Sequence, residues 1–110
     1  MGWHYSWKII MNTLKVRMVR VYLTSTKKNT DKIIQHLKTE LTIRGVTLFR
    51  AIEGYGSSGE HNATMMDILM ELPLVLEFFD EEIKVNQALE YLTLLVTPKH
   101  IVYWDALVNA

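Results

Sequence analysis

With 110 residues, 49% of them hydrophobic and 22% charged, the chain has the material for one globular domain around one core. Twelve basic residues balance twelve acidic ones, so it lacks the positive footprint of a general nucleic-acid binder. The absence of cysteine excludes disulfides, thiolate metal sites and cysteine nucleophiles, and leaves a cytoplasmic protein as the expectation.

No apolar run approaches the ~20 residues that a membrane-spanning helix needs. The opening MGWHYSWKII has neither a sustained apolar core nor a small-residue cleavage site, so it is not read as a signal peptide. Residues 1–14 are expected to be a poorly ordered extension ahead of a domain at 15–110, with Met11 a candidate start. Residues 16–23, VRMVRVYL, alternate Val19, Val21 and Leu23 with Met18, Arg20 and Tyr22 and read as a strand. A polar loop follows at 24–29. Asn29 or Thr30 is expected to cap a helix with Asp31 in its first turn and Ile33, Ile34, Leu37 and Leu41 on one stripe. Gly45 is the expected stop. Residues 46–52 alternate again and read as a second strand, placed at the centre of the sheet, which runs into the small-residue stretch 54–59, GYGSSG. Met65, Ile68, Leu69 and Leu72 suggest a short helix before Pro73. Residues 74–79 form an apolar strand. Asp80 or Glu81 then opens a helix with Ile83, Ala88, Leu89, Leu92 and Leu95 or Val96 on its buried stripe. Residues 100–104 are the last strand and 105–110 a tail.

This order is βαββαβ, the ferredoxin-like α+β arrangement with a four-stranded antiparallel sheet and both helices on one face. The strands carry large apolar residues on both faces, which the helices cannot cover, so copies of the chain are expected to pack on the other face. Arg20, Arg50 and Glu77 interrupt the apolar strands, and at least one Arg–Glu contact is expected among them.

The string Leu48-Phe49-Arg50-Ala51-Ile52-Glu53-Gly54-Tyr55-Gly56, with Val19-Arg20-Val21-Tyr22 and Leu72-Pro73-Leu74-Val75-Leu76-Glu77, resembles the PII-like proteins of the DUF190 family. The resemblance covers residues 15–104. It implies a homotrimer related to PII signalling proteins, with small effectors, commonly adenine nucleotides, held in clefts between subunits. It also implies that residues 53–71 form the loop that engages a partner, in this family a membrane transporter or channel. One departure bears on the ligand. PII proteins hold phosphates on a glycine- and basic-rich loop between the second helix and the last strand, where this chain has only Thr97-Pro98-Lys99-His100. Without a glycine that junction cannot cradle a triphosphate through successive amides, which leaves a monophosphate, a cyclic nucleotide or another small anion.

The candidate ligand-binding residues are Thr24, Ser25, Lys27, Arg50, Glu53, Gly54, Tyr55, Gly56, Ser57, Ser58 and His61. Gly54, Gly56, Ser57 and Ser58 can offer amides and hydroxyls to an anion, Arg50 a bidentate fork, and Tyr55 a stacking face. Each has a structural counterpart: a plain connecting loop, or an ion pair of Arg50 with Glu77 or Glu53. Lys99 and His100 stand where PII proteins hold phosphates. Glu60, His61 and Asp67 lack the spacing of a metal site. No nucleophile and base are fixed together by local spacing, so catalysis is not expected. The alternatives are a small dimeric α+β-barrel enzyme and a purely structural interaction module.

Overall fold

Alternating apolar residues build four strands here, and the structure, a computed structural model, describes residues 12–23, 27–52 and 74–110, the side chains of Lys27 and Lys28 excepted. Strand β1 is Thr13–Leu23, helix α1 Lys27–Thr39, β2 Val46–Arg50, β3 Leu74–Asp80, α2 Glu82–Thr93 and β4 Ile101–Asn109. The strands form one antiparallel sheet in the order β2-β3-β1-β4. Each βαβ half straddles a strand of the other half, which is the ferredoxin-like arrangement expected.

The register explains where the core sits. Val19, Val21 and Leu23 of β1 stand opposite Phe78, Leu76 and Leu74 of β3. Ile33 and Leu37 of α1 and Val85, Ala88 and Leu92 of α2 close over these six, and all are buried in one cluster. Both helices therefore lie on one face of the sheet. Each of these side chains except that of Ala88 contributes about 1.5–3 kcal/mol by leaving water. Asp80 ends β3 as a buried carboxylate. Its Oδ1 accepts the Glu81 N–H at 2.8 Å and its Oδ2 the Arg44 N–H at 2.9 Å. Burial of a carboxylate demands such donors, and these two tie the chain after α1 to the start of α2.

Several boundaries differ from the sequence reading. Helix α1 begins at Lys27, so Asn29 and Thr30 lie inside its first turn and do not cap it, and no acidic residue falls in that turn. The reason is burial: Thr30, Ile33 and Leu37, spaced i, i+3, i+7, all face the core, and the helix must already be wound at Thr30. Gly45 is not the stop. The helix ends at Thr39, Thr42 takes the left-handed backbone (φ 52°), and the Ile43 N–H returns to the Leu37 carbonyl at 2.9 Å. Buried Ile43 pulls the chain back before Gly45 is reached.

In α2, Ile83 is 73% exposed and Val85 takes its expected place in the core. Two residues along a helix are turned by roughly 200°, so one of the pair must face water. The helix stops at Thr93, which leaves Leu95 exposed in the following turn, while Val96 packs on the core.

Strand β2 ends at Arg50 and lies at the edge, not the centre, with Leu48 and Phe49 half-exposed. A strand's own pattern does not encode its neighbours. Strand β4 runs to Asn109 and replaces the expected tail, because β1 starts early at Thr13 and supplies pairing partners as far as Asn109. The short helix expected before Pro73 and residues 1–11 lie outside the described residues.

Candidate functional site

Antiparallel pairing gathers several chain connections at one end of the sheet. Leu74 lies between Leu23 and Arg50 in register, and Val21 stands opposite Ile101. The Tyr22 N–H donates to the His100 carbonyl at 2.8 Å. The chain thus leaves β1 and β2, and enters β3 and β4, at this end. Helix α1 starts here and α2 finishes here.

Between these elements lies a cleft of about 410 Å³. Leu23, Ile33, Tyr91, Leu95 and Val96 give it an apolar wall, and Asn29, Lys32, Thr97 and His100 contribute its polar groups, with Tyr22 beside them. Tyr91 stacks on His36 of α1, ring centroids 3.8 Å apart and planes 17° from parallel. Burial pushes the Tyr91 phenol up from its ordinary value of 10.0, so the ring enters the cleft neutral at physiological pH. At the α2–β4 junction Lys99 takes the left-handed backbone (φ 70°) that glycine usually occupies, and His100 Nδ1 lies 3.0 Å from the Pro98 carbonyl oxygen. An apolar wall with a few convergent polar groups suits a small ligand that has both a planar and a charged part. A groove of about 650 Å³ between α2 and β4 carries charges of opposite sign, Glu90 and Lys99, and none of the residues of β1, β2 or β3 lines it among those described.

The face of the sheet away from the helices is the second notable surface. By register it presents Met18, Arg20 and Tyr22 of β1, Val75, Glu77 and Phe79 of β3, Thr47 and Phe49 of β2, and Val102 and Trp104 of β4. Arg20 Nη2 donates to Glu77 Oε2 at 2.9 Å, and the guanidinium lies 5.9 Å from the Trp104 ring centroid. This is the Arg–Glu contact expected from the charges set within apolar strands.

Of the residues singled out in the sequence, Arg50 is placed at the end of β2, level with Leu74 at the cleft end of the sheet. It has interactions of its own. Strand parity puts it on the helix side, opposite Glu77, so the alternative Arg50–Glu77 ion pair is not formed and Glu77 belongs to Arg20. Lys27 is the first residue of α1 rather than part of a loop. Thr24, Ser25, Glu53, Gly54, Tyr55, Gly56, Ser57, Ser58 and His61 lie outside the described residues, as do Glu60 and Asp67.

The structure adds Asn29, Lys32 and Tyr91, which the sequence reading passed over. Lys32 did not figure in that reading. Its only available signal was its place beside Ile33, at the edge of the buried stripe.

Three comparisons bear on this arrangement. The DUF190 family model, described as "Uncharacterized ACR, COG1993", matches residues 16–108. A UPF0166 protein of Aquifex aeolicus (strain VF5) is 31% identical over 85 residues, covering 73% of this chain and 81% of its own. Among solved structures, CPII from Thiomonas intermedia K12, a nitrogen regulatory PII-like protein bound to ADP, AMP and bicarbonate, shares the fold at TM-score 0.66. It is 16% identical, over 90% of this chain and 100% of its own. A PII-like signalling protein of Thermus thermophilus does so at TM-score 0.60, 17% identity, 91% and 93% coverage. The two structural likenesses show the fold, and the sequence matches show the family: the chain belongs to the DUF190 family and has a PII-like, ferredoxin-like fold.

Proposed function

We propose that this chain is a PII-like regulatory protein which takes a small anionic effector, an adenine nucleotide foremost, and controls a partner through residues 53–71. The observation that carries the reading is the convergence at one sheet end. The described cleft, Arg50 and Leu74 lie together, so a ligand held there sits beside both ends of the segment that would act on the partner. The lining supports a nucleotide: Lys32 for charge, and Tyr91, Ile33 and Leu95 as a wall for a base. The ADP and AMP bound by CPII agree with that class. The role is regulatory rather than enzymatic, and its setting is the cytoplasm. The partner is a membrane transporter or channel, a class that rests on the family likeness. Among the described residues no helix is long and apolar enough to cross a membrane, and in this reading the transporter is a separate chain.

The assembly in this reading is a homotrimer packed through the open sheet face, with the cleft completed at the subunit border. The test is calorimetry and thermal shift with ADP, AMP, cyclic AMP, bicarbonate and fluoride. A true effector at a hundred times its Kd stabilises the folded state by about 2.7 kcal/mol, several degrees in Tm for a chain of this size. Lys32→Ala is expected to weaken it about tenfold. Silence across the panel overturns the effector reading.

A further inference from the structure

The cleft holds a single permanent positive charge among its described residues, Lys32, and no carboxylate. The other group able to become positive is His100, and its ring is fixed in a particular way. Left-handed Lys99 folds the Pro98 carbonyl back toward residue 100, where it meets Nδ1 at 3.0 Å. The Tyr22 N–H holds the His100 backbone from the other side at 2.8 Å. A carbonyl oxygen only accepts, so Nδ1 carries a hydrogen in both protonation states. The state of the ring is therefore written entirely on Nε2. It is an acceptor in neutral imidazole and a donor in imidazolium. Among the described residues nothing bonds to Nε2.

We propose that His100 makes anion binding in this cleft proton-linked. A phosphate oxygen set between Lys32 and His100 meets a lone pair when the ring is neutral and an N–H donor once Nε2 has taken a proton. The ligand therefore binds with uptake of one proton from solvent, and the N–H formed on Nε2 donates to the anion. The inference rests on the effector reading above and adds its pH dependence. The titratable and charged groups that share the cleft with the ring are Lys32 of α1 and Tyr91 of α2. His36 stacks on Tyr91, and Lys99 precedes His100 in its turn. Tyr22 borders the cleft from β1, but its side chain belongs to the open face beside Arg20. His36 is present in both wild type and a His100 variant, so the difference between the two proteins reports His100.

The experiment is titration calorimetry of the full chain with ADP at about pH 6 and pH 8, in two buffers of different ionisation enthalpy, on wild type and His100→Asn. Asparagine keeps an N–H for the Pro98 carbonyl and removes Nε2. The terminal phosphate of ADP itself titrates near pH ~6, so the readout is the difference between the two proteins. Wild type is expected to gain about tenfold more affinity than the variant on going from pH 8 to pH 6, which by linkage is an average extra uptake of about half a proton per ligand across that interval. Equal pH dependence in the two proteins overturns the proposal and leaves the effector reading standing. So does wild-type affinity that, relative to the variant, tightens toward pH 8, which would mean Nε2 accepts from a ligand hydroxyl or amine. Absence of binding by ADP and by the rest of the panel at both pH values removes the effector reading itself, and this proposal with it. Nitrogen NMR of the wild-type imidazole is independent of the variant's folding: ADP must shift Nε2 toward the protonated form, and no shift in saturated protein overturns the proposal.

Discussion

Arg17 shows how much one side chain can tie together. Its Nε donates to Asp105 Oδ1 at 2.9 Å, Nη1 to Asn86 Oδ1 at 2.8 Å and Nη2 to Glu82 Oε1 at 3.1 Å, joining β1 to β4 and α2. The guanidinium also lies 5.7 Å from the Tyr103 ring centroid. A planar fork with five donors suits this, and lysine would not replace it. The Arg17 hydrogen bond, followed by the charges of Arg17 and of Lys15 at 3.5 Å, holds the Asp105 carboxyl below its ordinary value of 3.8, against the opposing effect of burial. A carboxyl lowered on folding contributes stability that is fully present above its unfolded value and is lost as pH falls through its folded one. Urea midpoints are therefore expected to fall below about pH 3.8, and Asp105→Asn to be less stable than wild type at neutral pH and less acid-sensitive. Parallel pH profiles for the two proteins would contradict this. None of the network was legible beforehand, because Arg17 lies 65 to 88 positions from its charged partners.

At the scale of elements, the helices show what period alone can and cannot fix. The 3.6-residue spacing located both helices and named Ile33, Leu37, Ala88 and Leu92 correctly as core. It misplaced Ile83, since several phases of the stripe fit a short apolar helix equally well and only docking selects one. Val85→Ala removes two methyl groups from a fully buried site and is expected to cost about 2 kcal/mol, whereas Ile83→Ala is expected to stay within about 0.5 kcal/mol. Denaturant melts with unchanged m decide it, and equal losses would mean that α2 is rotated from its described phase. The strand ends behaved similarly. Residues 105–109, DALVN, carry no apolar and polar alternation that marks a strand, and the early start of β1 gives them a partner.

For the whole molecule, the open sheet face is the dominant surface. Phe49 is 50% exposed and Trp104 40%, beside an Arg20–Glu77 pair whose neighbours on the face are mainly apolar. A contiguous face of this kind marks an interaction surface. If copies of the chain cover it, Trp104→Lys buries a second cation beside Arg20 in the assembly and is expected to shift the mass toward the monomer, with the far-ultraviolet spectrum retained. Light scattering checks both points. A wild-type mass of three chains agrees with the trimer, two chains would favour sheets facing one another as in an α+β barrel, and one chain would refute assembly through this face.

The sequence by itself determined the class of fold, the order of its elements, the apolar character of both sheet faces, and the need for an Arg–Glu pair among them. These follow from local period and from the cost of burying unpaired charge, both readable along one chain. Tertiary structure decided the rest. Pairing order put β2 at the edge, burial of Thr30 moved the start of α1, and the sheet end brought Lys32, Tyr91 and His100 to one cleft. Those residues are far apart in sequence and individually unremarkable. Their meeting depends on strand register and helix docking, which are properties of the packed molecule.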